Sequence, residues 1–206
     1  MSARRRCTGA ILAGGRAARF GGRPKGLEHV GGQRMLDRVV RAIGEACDRV
    51  VLVANDGSAA NWLPGVPALR DVRPGGGAPS GMHAALSSAG GDDVLVCAWD
   101  SPFVPGALLV SLRDAGTLED ADAAVPASNA PWGFEPLVAW YAPSCLPAIE
   151  RALDSGVVHA GGWQGTVRTL RLDASPWGDP ARLFFNVNSP EDLVHAEQLF
   201  AMECPL

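Results

Sequence analysis

The chain has 206 residues, of which 47% are hydrophobic and 19% are charged. That balance is typical of a packed globular protein and excludes wholesale disorder, while the length suits one substantial α/β domain. The net charge of −4 at pH 7 argues against a general nucleic-acid-binding protein, because such a protein presents a basic face.

The spacing of the cysteines and the hydropathy of the chain indicate the cellular compartment of the protein. The five cysteines are scattered from Cys7 to Cys204 and form no C-x-x-C pair, so they indicate neither a disulfide scaffold nor a zinc site. No segment approaches the roughly eighteen apolar residues of a membrane span, and the apolar run after Arg4, Arg5 and Arg6 is too short for a signal peptide. We therefore expect a cytoplasmic protein without membrane association.

Hydrophobic patterning predicts alternating strands and helices in the first part of the chain. In chain order these are a strand ending at Ala13, a helix over 34–46, strands over 49–54 and 66–69, a helix over about 82–89, a strand over 93–98, a helix over 108–115 and a strand over 121–126. This alternation predicts a doubly wound, mostly parallel, Rossmann-like sheet with helices on both faces.

The remainder of the chain is less regular. It is predicted to contain strands over 136–141, 166–172 and 184–187, and helices over 143–153 and 190–202. Ser189 is the predicted N-cap of the last helix, with Pro190 in its first turn and Asp192 three residues after the cap. Because no linker composition separates the two parts, we predict a single domain over 1–206.

A glycine-rich, cationic loop follows the first predicted strand, within the stretch from Thr8 to Leu27. Its glycines and cations include Gly14, Gly15, Arg16, Arg19 and Lys25. Backbone N–H groups in such a turn form an anion-binding concavity, and the cations add donors suited to phosphate. The loop has neither of the two best-known phosphate-binding patterns, so its glycines alone leave a solvated surface loop open as an alternative.

Four polar or glycine-rich stretches follow predicted strands, at 14–25, Asn55, 71–81 and Asp100. Ligands of open α/β sheets bind outside the carboxyl ends of the strands, so these stretches predict one site. Asp100 is predicted to hold Mg²⁺, because this ion is often held by one or two carboxylates together with substrate phosphates. Capping of a turn is the alternative for both Asp100 and Asp71. The small residues from Gly75 to Gly81 suit either the close approach of a flat base or ribose or a flexible connection.

At these residues the chain resembles the molybdenum cofactor guanylyltransferases, the MobA-like branch of the nucleotidyltransferases. The family's loop pattern is L-A-G-G, then R-(M/F)-G and a lysine. This pattern and the later family motifs correspond, in order, to Leu12-Ala13-Gly14-Gly15, Arg19-Phe20-Gly21, Lys25, Asp71, Gly81, Asp100-Ser101-Pro102-Phe103, Glu135-Pro136-Leu137 and the segment from Phe185 to Leu193. The resemblance covers essentially the whole chain.

The resemblance implies the fold of the nucleotide-diphospho-sugar transferases, with a nucleotide-binding half over about 1–115 and an acceptor-substrate half over about 116–206. It implies transfer of GMP from GTP to the phosphate of molybdopterin or the molybdenum cofactor, with release of pyrophosphate and with Mg²⁺ as cofactor. Molybdoenzymes or cofactor-delivery proteins are the further partners that it implies.

The resemblance also assigns roles to individual residues. Nucleotide binding falls to Leu12, Ala13, Gly14, Gly15, Lys25, Asn55, Asp71, Gly81 and Asp100. The implied catalytic residues are Lys25, Asp100 and Arg19, and Asp100 is the implied metal ligand. Asn186 and Asn188 lie on the side where the acceptor enters.

The chain departs from the family pattern at three places, and two alternatives stay open. Val53 replaces a polar residue, Pro79 is displaced by one position, and Trp99 stands where cysteine is usual, which predicts a narrower site. The first alternative is a cytidylyltransferase or a sugar-phosphate nucleotidyltransferase, although Gly14 favours guanine. The second is a non-catalytic nucleotide-binding module, against which the joint presence of Lys25 and Asp100 argues.

Overall fold

A computed structural model of the chain describes residues 5–14, 20 and 22–202. Its main feature is a seven-stranded sheet whose central strands are apolar because both of their faces are covered. The strands of this sheet are β1 (Cys7–Leu12), β4 (Arg49–Val53), β5 (Ala68–Leu69), β6 (Asp93–Ala98), β7 (Ala123–Pro126), β8 (Val138–Tyr141) and β9 (Thr169–Leu172). A separate antiparallel hairpin joins β2 (His29–Val30) to β3 (Gln33–Arg34).

The strand order in the sheet is β5-β4-β1-β6-β8-β7-β9. All neighbouring pairs run parallel except those of β8, which is antiparallel to both β6 and β7. The carboxyl ends of β1, β4, β5, β6 and β7 therefore lie on one edge of the sheet, where the amino end of β8 also lies. The predicted fold class, a mostly parallel sheet between helices, is confirmed.

Helices cover both faces of the sheet. They are α1 (Met35–Gly44), α2 (Gly77–Ser88), α3 (Gly106–Leu118), α4 (Leu146–Asp154), α5 (Pro180–Leu183) and α6 (Pro190–Ala201). α1 and α3 pack in one apolar core and α2 and α4 in another, and β1 supplies Ile11 to the first and Leu12 to the second. No helix among the described residues combines the length and the hydropathy that a membrane span requires.

The closing helix α6 begins as predicted. The Ser189 hydroxyl accepts a hydrogen bond from the Asp192 amide at 3.2 Å, and the Asp192 carboxylate accepts one from the Asn188 amide at 2.8 Å. The Ser189 hydroxyl thus satisfies a backbone donor that the first turn of the helix leaves free, and the Asp192 carboxylate holds the backbone N–H of the residue before the N-cap. This reciprocal cap fixes the backbone of Asn188.

Two predicted elements are corrected by the structure. The segment 184–187 is not a strand; it is an irregular connection after α5, and Val187 is fully buried in a small core with Val30 and Met35. Its apolar pattern reflects this burial. α2 begins at Gly77 rather than near Met82, because a proline in the first turn, here Pro79, gives up no intrahelical hydrogen bond. The β2–β3 hairpin and α5 were not predicted, since both are very short.

Gly116 lets α3 pack directly against Trp140 of β8. A Cβ built on Gly116 would lie 2.3 Å from Cε3 of the fully buried Trp140 ring. We expect Gly116→Ala to lower the free energy of unfolding by about 1–3 kcal/mol, because the overpacking exceeds the gain in helix propensity. The matched control is Gly44→Ala in α1, where a Cβ meets nothing within 4 Å. That control should be neutral or slightly stabilising in urea denaturation, and equal effects of both substitutions would contradict the packing argument.

Candidate functional site

The edge of the sheet that holds the carboxyl ends of the parallel strands borders a cavity of about 670 Å³, here called the large cavity. Sequence-predicted site residues from distant parts of the chain line it together. They are Leu12, Ala13, Gly14, Lys25, Asn55, Asp71, Gly81, Asp100 and Asn188. Gly15 and Arg19 lie outside the described residues.

A buried lysine that lines this cavity joins both parts of the chain. Lys25 is only 8% exposed, and its Nζ donates hydrogen bonds to Asp100 and, at 2.8 Å, to Oδ1 of Asn188. Burial of an ammonium group is costly unless the charge is paired and hydrogen-bonded, and these two partners meet that need. We call Lys25, Asp100 and Asn188 the lysine cluster.

Lys25 is the only lysine in the sequence, and all the other residues in its Lys and Arg count are arginines. Arginine presents a rigid planar fork, whereas a lysine ammonium is a compact point charge with three donors. A compact cation between two oxygen acceptors suits the lysine cluster better than a guanidinium would. This compositional contrast is a sequence signal for Lys25 that is independent of any motif.

The position of Lys25 depends on Gly26 and Trp99. Lys25 begins a short 3₁₀ turn, and a Cβ built on Gly26 would lie 2.3 Å from Cε3 of Trp99. The Trp99 ring stacks on Trp62 with centroids 5.3 Å apart, and Trp99 is 4% exposed. Trp99 therefore supports the turn from the core side, and it also lines the large cavity, where the sequence predicts a narrower site.

Asn55 and Asp71, which also line the large cavity, form a reciprocal hydrogen-bonded pair. The Asn55 amide donates to Asp71 Oδ2 at 2.9 Å, and the Asp71 backbone N–H donates to Asn55 Oδ1 at 3.0 Å. The Gly81 backbone lies close to Asp71 and Leu12, since a Cβ built there would be 3.7 Å from Asp71 Oδ1 and 3.5 Å from Leu12 Cδ2. No described residue hydrogen-bonds to Asp71 Oδ1, which can therefore accept from the hydroxyl or N–H donors of a nucleoside.

A second, smaller cavity of about 260 Å³, here called the small cavity, adjoins the large one. The two share Ala98, Asp100, Leu137 and Asn188, so they meet at the lysine cluster. Asn186 lines the small cavity, and its Oδ1 accepts a hydrogen bond from the Ser101 hydroxyl at 2.7 Å. The Val187 amide donates to the Asp100 carbonyl at 3.0 Å and holds this segment in place.

Glu135 is a site residue to which sequence reasoning assigned no role. Its side chain lines the small cavity, and its Oε1 accepts a hydrogen bond from Ser128 at 2.7 Å. Burial raises the pKa of the Glu135 carboxyl, and the Ser128 hydrogen bond partly offsets that rise. The sequence predicts a strand over 136–141 but not its direction, and the antiparallel course of β8 brings Glu135 to the edge that holds Asp100.

The arrangement is suited to bringing two anionic groups together. The large cavity borders several strand ends, and its lining residue Lys25 is hydrogen-bonded to Asp100 and Asn188, which line both cavities. In the described part of the chain, no three histidine, cysteine, aspartate or glutamate side chains come together as a metal cluster. Asp100 and Asn188 supply oxygen atoms at the junction.

Comparison with known proteins gives concordant similarities. A sequence model described as the MobA-like NTP transferase domain matches residues 9–167. The molybdenum cofactor guanylyltransferase of Desulfosudis oleivorans is 37% identical over 195 residues, which cover 92% of this chain and 94% of that protein. The molybdenum cofactor guanylyltransferase of Nitrobacter hamburgensis is 31% identical and covers 95% of each chain.

Solved structures give the same result at the level of the fold. The crystal structure of molybdopterin-guanine dinucleotide biosynthesis protein A from Archaeoglobus fulgidus superimposes with a TM-score of 0.79 at 27% identity, over 95% of this chain and 99% of that one. A 2-C-methyl-D-erythritol 4-phosphate cytidylyltransferase from Thermus thermophilus superimposes with a TM-score of 0.65 at 18% identity, over 92% and 96% of the chains. At that identity the second match shows a shared fold alone.

Proposed function

The chain belongs to the MobA-like NTP transferase family, and from this premise we propose that it transfers GMP from GTP to the phosphate of molybdopterin or its molybdenum-loaded form, with release of pyrophosphate. The observation that carries the proposal is the lysine cluster, which puts a buried cation where two cavities meet. A transferase that joins two phosphorylated substrates needs such a junction.

In this proposal the large cavity binds GTP and the small cavity binds the acceptor. The backbone of Leu12, Ala13, Gly14 and Gly15, together with Asn55, Asp71 and Gly81, is proposed to hold the nucleotide. Asn186 and Asn188 are proposed to face the acceptor. Most of the nucleotide residues fall within about 1–115 and the acceptor residues within about 116–206, which supports a single domain with two functional halves.

The chemistry requires positioning and charge neutralisation more than proton transfer. The attacking group is a phosphate monoester, whose second pKa of about 6 makes it largely dianionic near neutral pH. A strong general base is therefore unnecessary. Lys25 is proposed to neutralise charge on the α-phosphate and on the leaving pyrophosphate, with Arg19 adding a second positive charge. Asp100 and Asn188 take two of the three N–H donors of the Lys25 ammonium, and the third is proposed to reach the phosphates.

We propose that Mg²⁺ assists the reaction and that Asp100 holds it. The donor set fits this ion, since Asp100 offers a carboxylate and Asn188 an amide oxygen, and Mg²⁺ in such enzymes takes its other ligands from phosphates and water. When bound, the ion would neutralise phosphate charge. Asp100 would then serve two cations, the metal ion and Lys25.

We expect the reaction to take place in the cytoplasm, with the product passing to molybdoenzymes or cofactor-delivery proteins. Within the described residues, Cys7, Cys47, Cys97 and Cys145 are free thiols. Free thiols persist in a reducing compartment, which supports this location.

A nucleotide panel tests the proposed function. Purified protein with Mg²⁺ and molybdopterin is given GTP, CTP, ATP or UTP, and pyrophosphate release and the mass of the product are measured. We expect GTP to be the preferred substrate and a guanine dinucleotide to be the product. Preference for CTP would support the cytidylyltransferase alternative, and binding of GTP without pyrophosphate release would support a non-catalytic module.

A further inference from the structure

Glu135 offers the small cavity a hydrogen-bond acceptor that the protein itself uses only in part. Ser128 donates to Oε1, and among the described residues the Glu135 carboxylate has no other hydrogen-bond or ion-pair partner. Oε2 can therefore accept a hydrogen bond from a ligand that enters the small cavity. A half-buried carboxylate in this state is complementary to a group that carries hydrogen-bond donors.

The position of Glu135 restricts what that group is. The cavity runs from Glu135 to Asp100, which belongs to the lysine cluster. At the Asp100 end the Lys25 ammonium offsets the carboxylate and attracts a phosphate, whereas the Glu135 carboxylate has no ion-pair partner among the described residues and repels one, so the phosphate of an acceptor lies at the Asp100 end. The part of the acceptor that reaches Glu135 is then uncharged and rich in donors.

Asn186 adds a second constraint. Its Oδ1 accepts from Ser101, and the structure shows no partner for its Nδ2 among the described residues. The cavity thus presents an acceptor group on Glu135 and a donor group on Asn186. A pterin ring has the matching edge, with an exocyclic amino group and a ring N–H as adjacent donors beside a carbonyl acceptor.

We propose that Glu135 is the specificity residue for the acceptor and that its carboxylate binds the adjacent amino and ring N–H donors of a pterin. The inference rests on the proposed function, because it takes molybdopterin as the acceptor. Ser128 is a positioning residue in this arrangement, since it orients the Glu135 carboxylate and touches no substrate. Binding of the ring here directs the acceptor phosphate toward Asp100 and Lys25.

The substitution that tests this is Glu135→Gln. The glutamine amide keeps an oxygen for Ser128 but turns an NH₂ group toward donors that need an acceptor, so the fold is kept while recognition is lost. Two readouts are combined. One is direct binding of 6-hydroxymethylpterin, a pterin without phosphate, by fluorescence titration. The other is the steady-state KM for molybdopterin and for GTP, and Glu119→Gln at the exposed C-cap of α3 is the matched control.

We expect Glu135→Gln to weaken pterin binding and to raise the KM for molybdopterin by about tenfold or more, with the KM for GTP unchanged and the control identical to wild type. Unchanged pterin affinity, or no detectable binding by the wild type, overturns the inference. An equal rise in the KM for GTP also overturns it, because that result indicates a role in metal or nucleotide binding. Absence of wild-type turnover with GTP counts against the proposed function, whereas normal turnover with an unaltered acceptor KM in the variant counts only against Glu135.

Discussion

Asp100→Asn should lower the rate of pyrophosphate release by about 10²–10³-fold, the usual range for loss of one electrostatic group at a reaction centre. The carboxylate has two tasks in the proposed mechanism, which are to hold Mg²⁺ and to orient the Lys25 ammonium. Asparagine keeps the shape and one oxygen but removes the negative charge. Both Mg²⁺ binding and the orientation of the Lys25 ammonium are therefore weakened. Turnover is measured with GTP and molybdopterin over a range of Mg²⁺ concentrations.

The control for Asp100→Asn is Asp114→Asn, which removes a carboxylate of the same size from the surface of α3. Asp114 pairs with Arg113 and contributes to neither cavity. It should leave turnover within about twofold of wild type, since surface ion pairs contribute little. If Asp100→Asn keeps near-normal turnover at every Mg²⁺ concentration, then Asp100 is not the metal ligand and the proposed mechanism fails.

The parallel part of the sheet was predictable from sequence because its strands are buried on both faces. β4 and β6 read as continuous apolar runs, and β6 was predicted with the bounds that the structure has. Placement of Asn55 and Asp100 at one edge followed from strand direction alone. The same logic explains why glycine and polar residues after strands mark the large cavity.

The direction of the antiparallel strand β8 could not be predicted from the apolar pattern, because such a pattern shows where a strand lies but not which way it runs in the sheet. β8 was expected near its observed position, but its reversal moves Glu135 to the edge where the cavities open. The direction of a strand is decided by the connections and by packing with its neighbours. The reversal therefore brings to the small cavity a side chain to which the sequence assigns no role.

Contacts between residues far apart in the sequence likewise could not be predicted from the sequence pattern. Lys25 and Asn188 are 163 residues apart, and their hydrogen bond depends on the cap that fixes the start of α6 and on the packing of Gly26 against Trp99. The segment 184–187 illustrates the same limit, since burial of Val187 in a loop gives the apolar signal of a strand. Family motifs identified the residues, while only the fold shows which of them touch.

Lys25→Met should nearly abolish transfer and also destabilise the protein, and a second substitution separates the two effects. Methionine has a similar length and no charge, so Asp100 is left as an uncompensated, largely buried carboxylate, which costs about 3 kcal/mol in the free energy of unfolding. The double variant Lys25→Met with Asp100→Asn removes that charge as well and should recover about 1–2 kcal/mol in urea denaturation. Its turnover should stay as low as that of either single variant, because both groups act on the same phosphates. Recovery of turnover together with stability would show that the pair is purely structural.

Because Lys25 is the only lysine, reductive ¹³C-methylation labels it and the chain terminus alone, and its NMR signal should shift when GTP is added. An unchanged signal at saturating GTP would separate Lys25 from the nucleotide and would contradict its assignment to the phosphates.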